Sequence, residues 1–183
     1  MTSQANLNII SEDGKVIGED SREHIHKQGL LHQEVHVWFF TPDMQLIFQH
    51  RAKDKDTFPD LLDATVGGHV EKGDSYVSTA VKECYEETGL VIDPATLIHI
   101  ETHHHTSFDA LRGRTNHVLR ATFAYRYTGR TIDLRIEEGK GIGFEAWPIE
   151  KLFHLTDTDR QQFIPFLVSP EMLKLYKRIE ELR

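Results

Sequence analysis

The 183 residues include 21 lysines and arginines against 29 aspartates and glutamates, and the net charge of −8 argues against a general nucleic-acid surface. The length is that of one domain with a sizeable core. A single cysteine excludes an internal disulfide, and no stretch is apolar enough to predict a signal peptide or a membrane span. We therefore expect a cytoplasmic protein without nucleic-acid or membrane partners, and a homodimer is compatible with this composition.

The first half of the chain predicts mainly strands, which are separated by polar turns. Alternating apolar positions predict both faces of the first long strand to be covered. Strands are predicted over 6–18 (a hairpin), 31–40, 45–52 and 63–67. The polar stretch 22–29 is interpreted as a lead-in to the first long strand, and 53–60 as a charged loop.

A helix is predicted between Ser75 and Thr88. Its apolar residues recur at helical spacing, either Asp74 or Ser75 can cap its start, and Gly89 is a natural stop. The lone Cys84 falls on the apolar stripe, so we expect it in the core rather than in catalysis.

The second half predicts further strands, then helices. Strands are predicted over 97–107, 117–127 and 141–147, and helical segments over 149–153, 161–168 and 171–182. Pro165 is expected to kink or break the second of these helices. A mixed sheet with helices on both faces accounts for this order, which makes the fold class α/β. We expect a single domain over 1–183, with a hairpin and lead-in (1–30), a core (31–155) and C-terminal helices (156–183).

Three carboxylates of the predicted helix, Glu83, Glu86 and Glu87, stand at positions i, i+3 and i+4. This spacing predicts one shared face, where like charges repel each other. A hard divalent cation would relieve that repulsion, because Mg²⁺ prefers oxygen ligands and bridges carboxylates to substrate phosphates. The alternative is an acidic helix face exposed to solvent.

The full spacing is more specific than the carboxylates alone. Gly68, five residues, Asp74, seven residues and then Lys82-Glu-Cys-Tyr-Glu-Glu-Thr-Gly89-Leu90 resemble the Nudix box, the signature of the Nudix hydrolase superfamily. Asp74 stands where the family usually has Glu, Lys82 where it has Arg, and Cys84 where it has a larger aliphatic residue. The resemblance implies a Nudix-type α/β/α sandwich and a metal-dependent hydrolase of a small-molecule diphosphate.

The flanking residues resemble the isopentenyl-diphosphate isomerase branch of that superfamily. The resemblance lies in 26–32, 51–59 and 63–69, and it implies that Arg51 and Lys55 face a diphosphate near Gly68. That branch has a catalytic cysteine where this chain has Gly67, which has no side chain to move a proton. We therefore expect no isomerase activity.

The isomerases' metal-site histidines could correspond to His26, His32 and His69, although their spacing is not cleanly preserved. The chain also holds His103, His104 and His105 in a predicted strand, where surface histidines are the simpler interpretation than metal or substrate contacts. Three aromatic residues, Trp38, Phe58 and Phe108, could stack on a base or could equally be packing.

The expected mechanism places Mg²⁺, with Mn²⁺ as an alternative, on Glu83, Glu86 and Glu87, where it activates a water that attacks phosphorus. Lys82 is expected to orient these carboxylates, as the family's arginine does. Candidates for the general base or an extra ligand are Asp74, Glu137, Glu138 and His69. Two alternative functions stay open, an isopentenyl-diphosphate isomerase and a catalytically silent nucleotide-binding module.

Overall fold

The fold is described from a computed structural model, which covers residues 6–55, 57–110 and 112–183. The strands are β1 (Asn6–Ile10), β2 (Val16–Ser21), β3 (His32–Phe40), β4 (Gln45–Arg51), β5 (Leu62–Asp63), β6 (Val66–His69), β7 (Ile98–Asp109), β8 (Arg114–Arg126) and β9 (Gly141–Pro148). The helices are α1 (Arg22–Gln28), α2 (Tyr76–Thr88), α3 (Ile149–Leu152), α4 (Asp157–Arg160) and α5 (Pro170–Glu180).

The central sheet is mixed, as the sequence predicts. β3 lies in the middle, parallel to β8 and antiparallel to β4 and β6, and β7 and β9 extend the sheet on either side. β1 and β2 form a separate two-stranded hairpin, which is joined to the sheet by Ile10 N–H donating to the Leu31 carbonyl at 2.9 Å.

Each face of the sheet carries its own apolar cluster. On one face, Val35, Val37 and Phe39 pack with Ala80 and Cys84 of α2. On the other face, Trp38 and Phe40 pack under the buried stripe of α5. That stripe comprises Met172, Leu175, Tyr176 and Ile179. The alternation along β3 therefore covers both faces and gives the α/β/α sandwich, and Cys84 is a core residue as expected.

Helix α2 begins and ends close to the predicted positions. Ser75, not Asp74, is the N-cap, since its hydroxyl accepts from Ser78 N–H, and Gly89 ends the helix in the left-handed conformation with φ of 74°. Of the two candidates for the cap, the structure selects Ser75, and Asp74 lies in the preceding turn, where its N–H donates to the Glu71 carbonyl.

Two segments differ from the sequence prediction. The interpretation of 22–29 as a polar lead-in is wrong, because 22–28 form α1 between the N-cap Ser21 and the C-cap Gly29. The helix predicted over 161–168 is interrupted, because Leu62 N–H donates to the Gln162 carbonyl and Ile164 N–H donates to the Leu62 carbonyl. These bonds extend the chain beside β5, and only Pro165–Val168 is helical, as a 3₁₀ turn.

Within the described residues, no helix combines the length and the apolar character that crossing a lipid bilayer requires.

Candidate active site

A cleft of about 760 Å³ opens where β3, β4 and β6 approach α2. The period of β3 explains its polar wall, because alternate residues of a strand face the same side. Trp38 and Phe40 use that side for the core, whereas Glu34 and His36, earlier on the same side, line the cleft. The sequence therefore changes from core to site along one strand.

Glu87 of α2 is a buried carboxylate at the cleft wall. One of its oxygens accepts from Lys140 Nζ at 2.7 Å and the other from Gln49 Nε2 at 3.2 Å. Lys140 Nζ also lies 3.1 Å from Glu137 and 4.0 Å from Glu83. Three carboxylates thus converge on one ammonium group at the end of the cleft.

These carboxylates suit a divalent cation. Burial raises the pKa of Glu83 to about 7, and neighbouring carboxylates add to the rise although Lys140 opposes it. Burial also raises the pKa of Glu87, despite the Lys140 ammonium beside it. The raised pKa values show that burial leaves the ionised carboxylates incompletely stabilised. A hard cation, which prefers oxygen ligands, would stabilise them further. Glu83 and Glu87 are the residues that would hold it.

The structure separates Glu86 from the other two helix carboxylates. Glu83 and Glu87 line the cleft, whereas Glu86 is exposed and lies outside its lining. The reason is helical geometry, because residues at i and i+4 differ by about 40° around the axis, and consecutive residues differ by about 100°. The expectation of one face shared by all three is corrected to a pair, and the role of Glu86 in metal binding stays a prediction.

Lys82 has a different partner from the expected one. Its Nζ pairs with Glu71 at 3.0 Å, so that the strongest contact of Lys82 ties α2 to the turn before it rather than to Glu83 or Glu86. Hydrogen bonding to Glu71 raises the pKa of Lys82. The expected role in orienting the helix carboxylates is corrected accordingly. Asp74 is absent from the cleft lining, which leaves it without the position that a base needs.

Among the later acids, the structure distinguishes Glu137 from Glu138. Glu137 lines the cleft beside Lys140, whereas Glu138 is exposed and lies outside the lining. Gly68 also lines the cleft, and a Cβ atom there would lie 2.2 Å from the Glu83 carboxyl carbon. A side chain at position 68 would therefore displace the Glu83 carboxylate, which packs directly over Gly68.

Lys55 and Arg51 both line the cleft, as the sequence led us to expect. The guanidinium of Arg51, however, pairs with Asp63 at 2.8 Å and donates to the carbonyls of Thr57 at 2.8 Å and Phe58 at 3.1 Å. These contacts use Nε and both terminal nitrogens to hold the loop after β4. The Arg51 guanidinium is thus engaged within the protein, and the roles of Arg51 and Lys55 towards a diphosphate stay predictions.

A cluster of three histidines adjoins the cleft. His26, His32 and His69 bring three ring nitrogens within 4.8 Å of one another, although they come from α1, β3 and β6. The Nδ1 atoms of His26 and His32 lie 2.9 Å from the carbonyls of Arg22 and Leu30. A carbonyl only accepts, so both Nδ1 atoms carry the proton and both Nε2 atoms keep a lone pair.

These lone pairs suit a metal ion. The Nε2 atom of His32 is buried and has no hydrogen-bond partner among the described residues. Burial lowers the pKa of His26 and His32, and it lowers that of His69 to about 3, so the three imidazoles are neutral. A neutral imidazole that donates its other N–H to a carbonyl is the usual form of a metal-binding histidine. The three histidines are unevenly spaced along the chain, so they form no clear sequence motif, but the fold brings them together.

Two polar residues border the histidines, the half-buried Asn116 and the buried Glu34. Asn116 Oδ1 lies 3.1 Å from His26 Nε2 and 3.3 Å from His69 Nε2. Glu34 pairs with Arg120 at 2.8 Å, and although burial opposes ionisation, the guanidinium holds the pKa of Glu34 far below its usual range. Glu34 is therefore a fixed negative charge between the histidines and the cleft.

Several candidates lie elsewhere, and some cleft residues escaped the sequence analysis. His103, His104 and His105 belong to β7 and lie outside the cleft lining. In β7, His103 lies 3.3 Å from Glu101, and His105 packs on Phe166. Trp38 is entirely buried in the core. Among the residues missed are Glu34, Asn116 and Lys140, which pair with Arg120, Glu34 and Glu87, all distant in sequence.

Comparison with known proteins identifies relatives of this chain. The chain resembles an uncharacterized Nudix hydrolase of Clostridium acetobutylicum, with 36% identity over 97 residues, which are 51% of this chain and 47% of the relative. It also resembles Nudix hydrolase 3 of Arabidopsis thaliana, with 25% identity over 185 residues, 98% of this chain and 24% of that protein. The matches to these two relatives thus span less than half of the relatives' own length.

Solved structures show the same fold. The crystal structure of DR0079 from Deinococcus radiodurans aligns with a TM-score of 0.67 at 19% identity and covers 94% of this chain and 98% of that one. The NUDIX domain of Shewanella oneidensis NrtR, solved with ADP ribose, aligns with a TM-score of 0.54 at 15% identity over 82% of this chain and 86% of that one. The family model described as the NUDIX domain matches residues 30–167, and the chain therefore belongs to the NUDIX domain family.

Proposed function

We propose that this protein is a metal-dependent hydrolase that cleaves the diphosphate linkage of a nucleoside diphosphate derivative or a related organic diphosphate. The observation that carries the proposal is the convergence of Glu83, Glu87 and Glu137 at one end of a cleft that Lys55 also lines. Carboxylates for a cation and an ammonium group for phosphate oxygens are the groups that a diphosphate requires.

The chain's own residues divide the work as follows. Glu83 and Glu87 would hold Mg²⁺ or Mn²⁺, which when bound supplies positive charge to the diphosphate and lowers the pKa of water. Lys55 binds phosphate oxygens on the other side of the cleft. Glu137, beside Lys140, accepts a proton from the attacking water, and Lys140 keeps the carboxylates charge-balanced.

The experiment that tests the proposal is a substrate panel of dinucleoside polyphosphates, nucleotide sugars, nucleoside diphosphates and prenyl diphosphates, each with Mg²⁺, with Mn²⁺ and with EDTA. We expect hydrolysis of at least one nucleoside derivative into two products that each keep a phosphate of the cleaved linkage, and we expect EDTA to abolish this hydrolysis. Turnover that persists in EDTA would remove the metal role, and an inactive protein that still binds nucleotides would favour the silent module.

We also infer that the chain lies on the isomerase-like branch of the family. The assembly of His26, His32 and His69 supports this inference, since these are the positions that resemble the isomerases' metal-site histidines. Gly67 pairs with His36 across β6 and β3, and it provides no thiol at the position of the isomerases' catalytic cysteine. A single domain over 1–183, a cytoplasmic location and a homodimer stay predictions.

Isomerase activity is the direct test of Gly67. We predict that the protein does not interconvert isopentenyl and dimethylallyl diphosphate, because no side chain at position 67 can move a proton. The measurement is ¹H NMR spectroscopy after incubation of either isomer with Mg²⁺ or Mn²⁺, because the two isomers have the same mass but different olefinic proton signals. Interconversion that Glu87→Gln abolishes would contradict the prediction and make the isomerase the preferred function.

A further inference from the structure

A second cleft, of about 960 Å³, continues from the first one. The two clefts share Arg22, Glu34, Arg51 and His69 along their common wall. A substrate whose diphosphate lies beside Glu83 and Glu87 can therefore extend its organic group into the second cleft. The residues that line the second cleft therefore indicate the chemical class of that organic group.

Two phenyl rings are exposed in the second cleft. Phe58 and Phe108 both line it, with 48% and 66% of their surfaces accessible. The largest aromatic residue of β3, Trp38, is by contrast fully buried. Exposed aromatic rings on a concave wall are typical of ligand sites, because an aromatic ring is stabilised when a ligand covers it and not when water does.

The backbone at Phe58 is held in an uncommon conformation. Its φ is 49°, in the left-handed region that residues with a Cβ atom seldom adopt. Arg51 holds it there by donating to the carbonyls of Thr57 and Phe58, while Asp63 fixes the guanidinium from the other side. Such backbone strain persists where the surroundings impose it, and it is common at ligand sites.

Most of the other residues that line the second cleft are polar. Only Phe58, Pro59, Phe108 and Ala110 among its residues are apolar, and Arg22, Arg114, Ser107 and Asn116 bring hydrogen-bond donors. An isoprenoid chain would require a continuous apolar wall and would leave these donors unpaired. A planar heteroaromatic ring uses both kinds of group, because its face stacks on phenyl rings and its edge accepts hydrogen bonds.

We propose that the second cleft binds the nucleobase of the substrate, stacked on Phe58 and Phe108, and that Arg51 is a positioning residue that presents Phe58 to it. This proposal rests on the proposed hydrolysis of an organic diphosphate, and it selects the nucleoside class over the prenyl class. Arg51 then acts on the base through the loop and not on the diphosphate.

Binding of nucleoside monophosphates tests the proposal separately from hydrolysis, since these ligands contain no diphosphate linkage. Dissociation constants for AMP, GMP, CMP and UMP would be measured by NMR titration beside inorganic phosphate and isopentenyl monophosphate. We expect at least one nucleotide to bind more tightly than phosphate, and Phe58→Ala and Phe108→Ala to weaken it by about tenfold. Phe58→Tyr should retain binding, because its ring still stacks.

The control for lost apolar surface is Ile132→Ala, since Ile132 is 83% exposed and lies outside both clefts. Arg51→Lys should weaken the nucleotide but leave inorganic phosphate unchanged, which a residue that clamps phosphate would not do. Thermal melts show that each variant is folded.

The outcomes of these binding and kinetic measurements either support or overturn the nucleobase site. Nucleotide binding that is lost with either phenylalanine supports the proposal even if the substrate panel shows no hydrolysis. Hydrolysis that proceeds with unchanged nucleotide affinity in Phe58→Ala and Phe108→Ala overturns the subsite and leaves the proposed function intact. Tighter binding of isopentenyl monophosphate than of all four nucleotides also overturns it.

Discussion

Glu87 and Glu86 are adjacent in sequence but differ in surroundings, which makes them a matched pair. Glu87 is buried against Gln49 and Lys140, whereas Glu86 is exposed. We predict that Glu87→Gln lowers kcat by about a hundredfold or more, since loss of a metal carboxylate removes several kcal/mol of transition-state stabilisation and each 1.4 kcal/mol is tenfold. Glu86→Gln should lower it much less. Steady-state kinetics check both variants, and equal losses would contradict the separation of Glu86 from the pair.

Gly68 tests whether the Glu83 carboxylate must lie where the structure places it. The added methyl group of Gly68→Ala would overlap the Glu83 carboxyl group, so that carboxylate has to move out of the cleft. We predict at least a tenfold loss of kcat/KM, because displaced catalytic groups are costly even over about 1 Å. Gly18→Ala is the control, since its methyl group would meet only Ile9 Cδ1 at 3.7 Å. Full activity in Gly68→Ala would show that Glu83 has no fixed role.

At the scale of elements, the sequence predicted those strands and helices that are determined by the periodicity of their own residues. The apolar alternation of β3 and the apolar stripes of α2 and α5 were sufficient, because each depends on the period of one element. The segment 161–164 was predicted wrongly because its backbone bonds go to Leu62, about a hundred residues earlier. Helix α1 was missed although Ser21 and Gly29 bracket it, because only Ile25 among its residues is buried, so no apolar stripe marks the helix.

Helix α1 presents His26 to the cluster, and its C-terminal glycine should matter accordingly. Gly29 has φ of 65° and closes the helix with its N–H on the Ile25 carbonyl. We predict that Gly29→Ala lowers the free energy of unfolding by about 1–2 kcal/mol, the cost of the left-handed conformation for a residue with a Cβ atom. Gly29→Asn should cost less, since asparagine tolerates that conformation. Urea denaturation measures both, and equal stability of Gly29→Ala and the wild-type protein would contradict this role.

Across the whole molecule, the candidate site is an assembly that no single stretch encodes. The box helix supplies Glu83 and Glu87, and the family signature made these predictable. Their partners Gln49 and Lys140 come from β4 and from the loop before β9, and the parallel pairing of β3 with β8 places Glu34 opposite Arg120. Such pairs follow from strand order, which a single sequence does not specify, and for the same reason the resemblance could name His26, His32 and His69 but not show that they meet.

The buried histidines give the whole molecule a predictable dependence on pH. Burial lowers the pKa of His36 to about 3, with the nearby Arg120 guanidinium adding to the effect, whereas an unfolded histidine titrates near 6.5. Between these values the unfolded chain binds more protons than the folded one, so the contribution of His36 to stability is complete above about pH 6.5 and is lost as the pH falls. The loss is at most about 1.4 kcal/mol per pH unit for this group.

We therefore predict that the stability difference between the wild-type protein and His36→Gln shifts towards the variant as the pH is lowered from 7.5 to 5. Urea denaturation in EDTA at each pH measures the difference, and EDTA keeps metal binding at the neighbouring histidines from adding a second pH dependence. His24→Gln, on the exposed part of α1, is the control for removal of an imidazole. A difference that does not change with pH would contradict this prediction, because it would mean that the pKa of His36 is the same in the folded and the unfolded protein. Burial would then not control the protonation of His36, and the wall of the first cleft that it lines would have to be more hydrated than the structure shows.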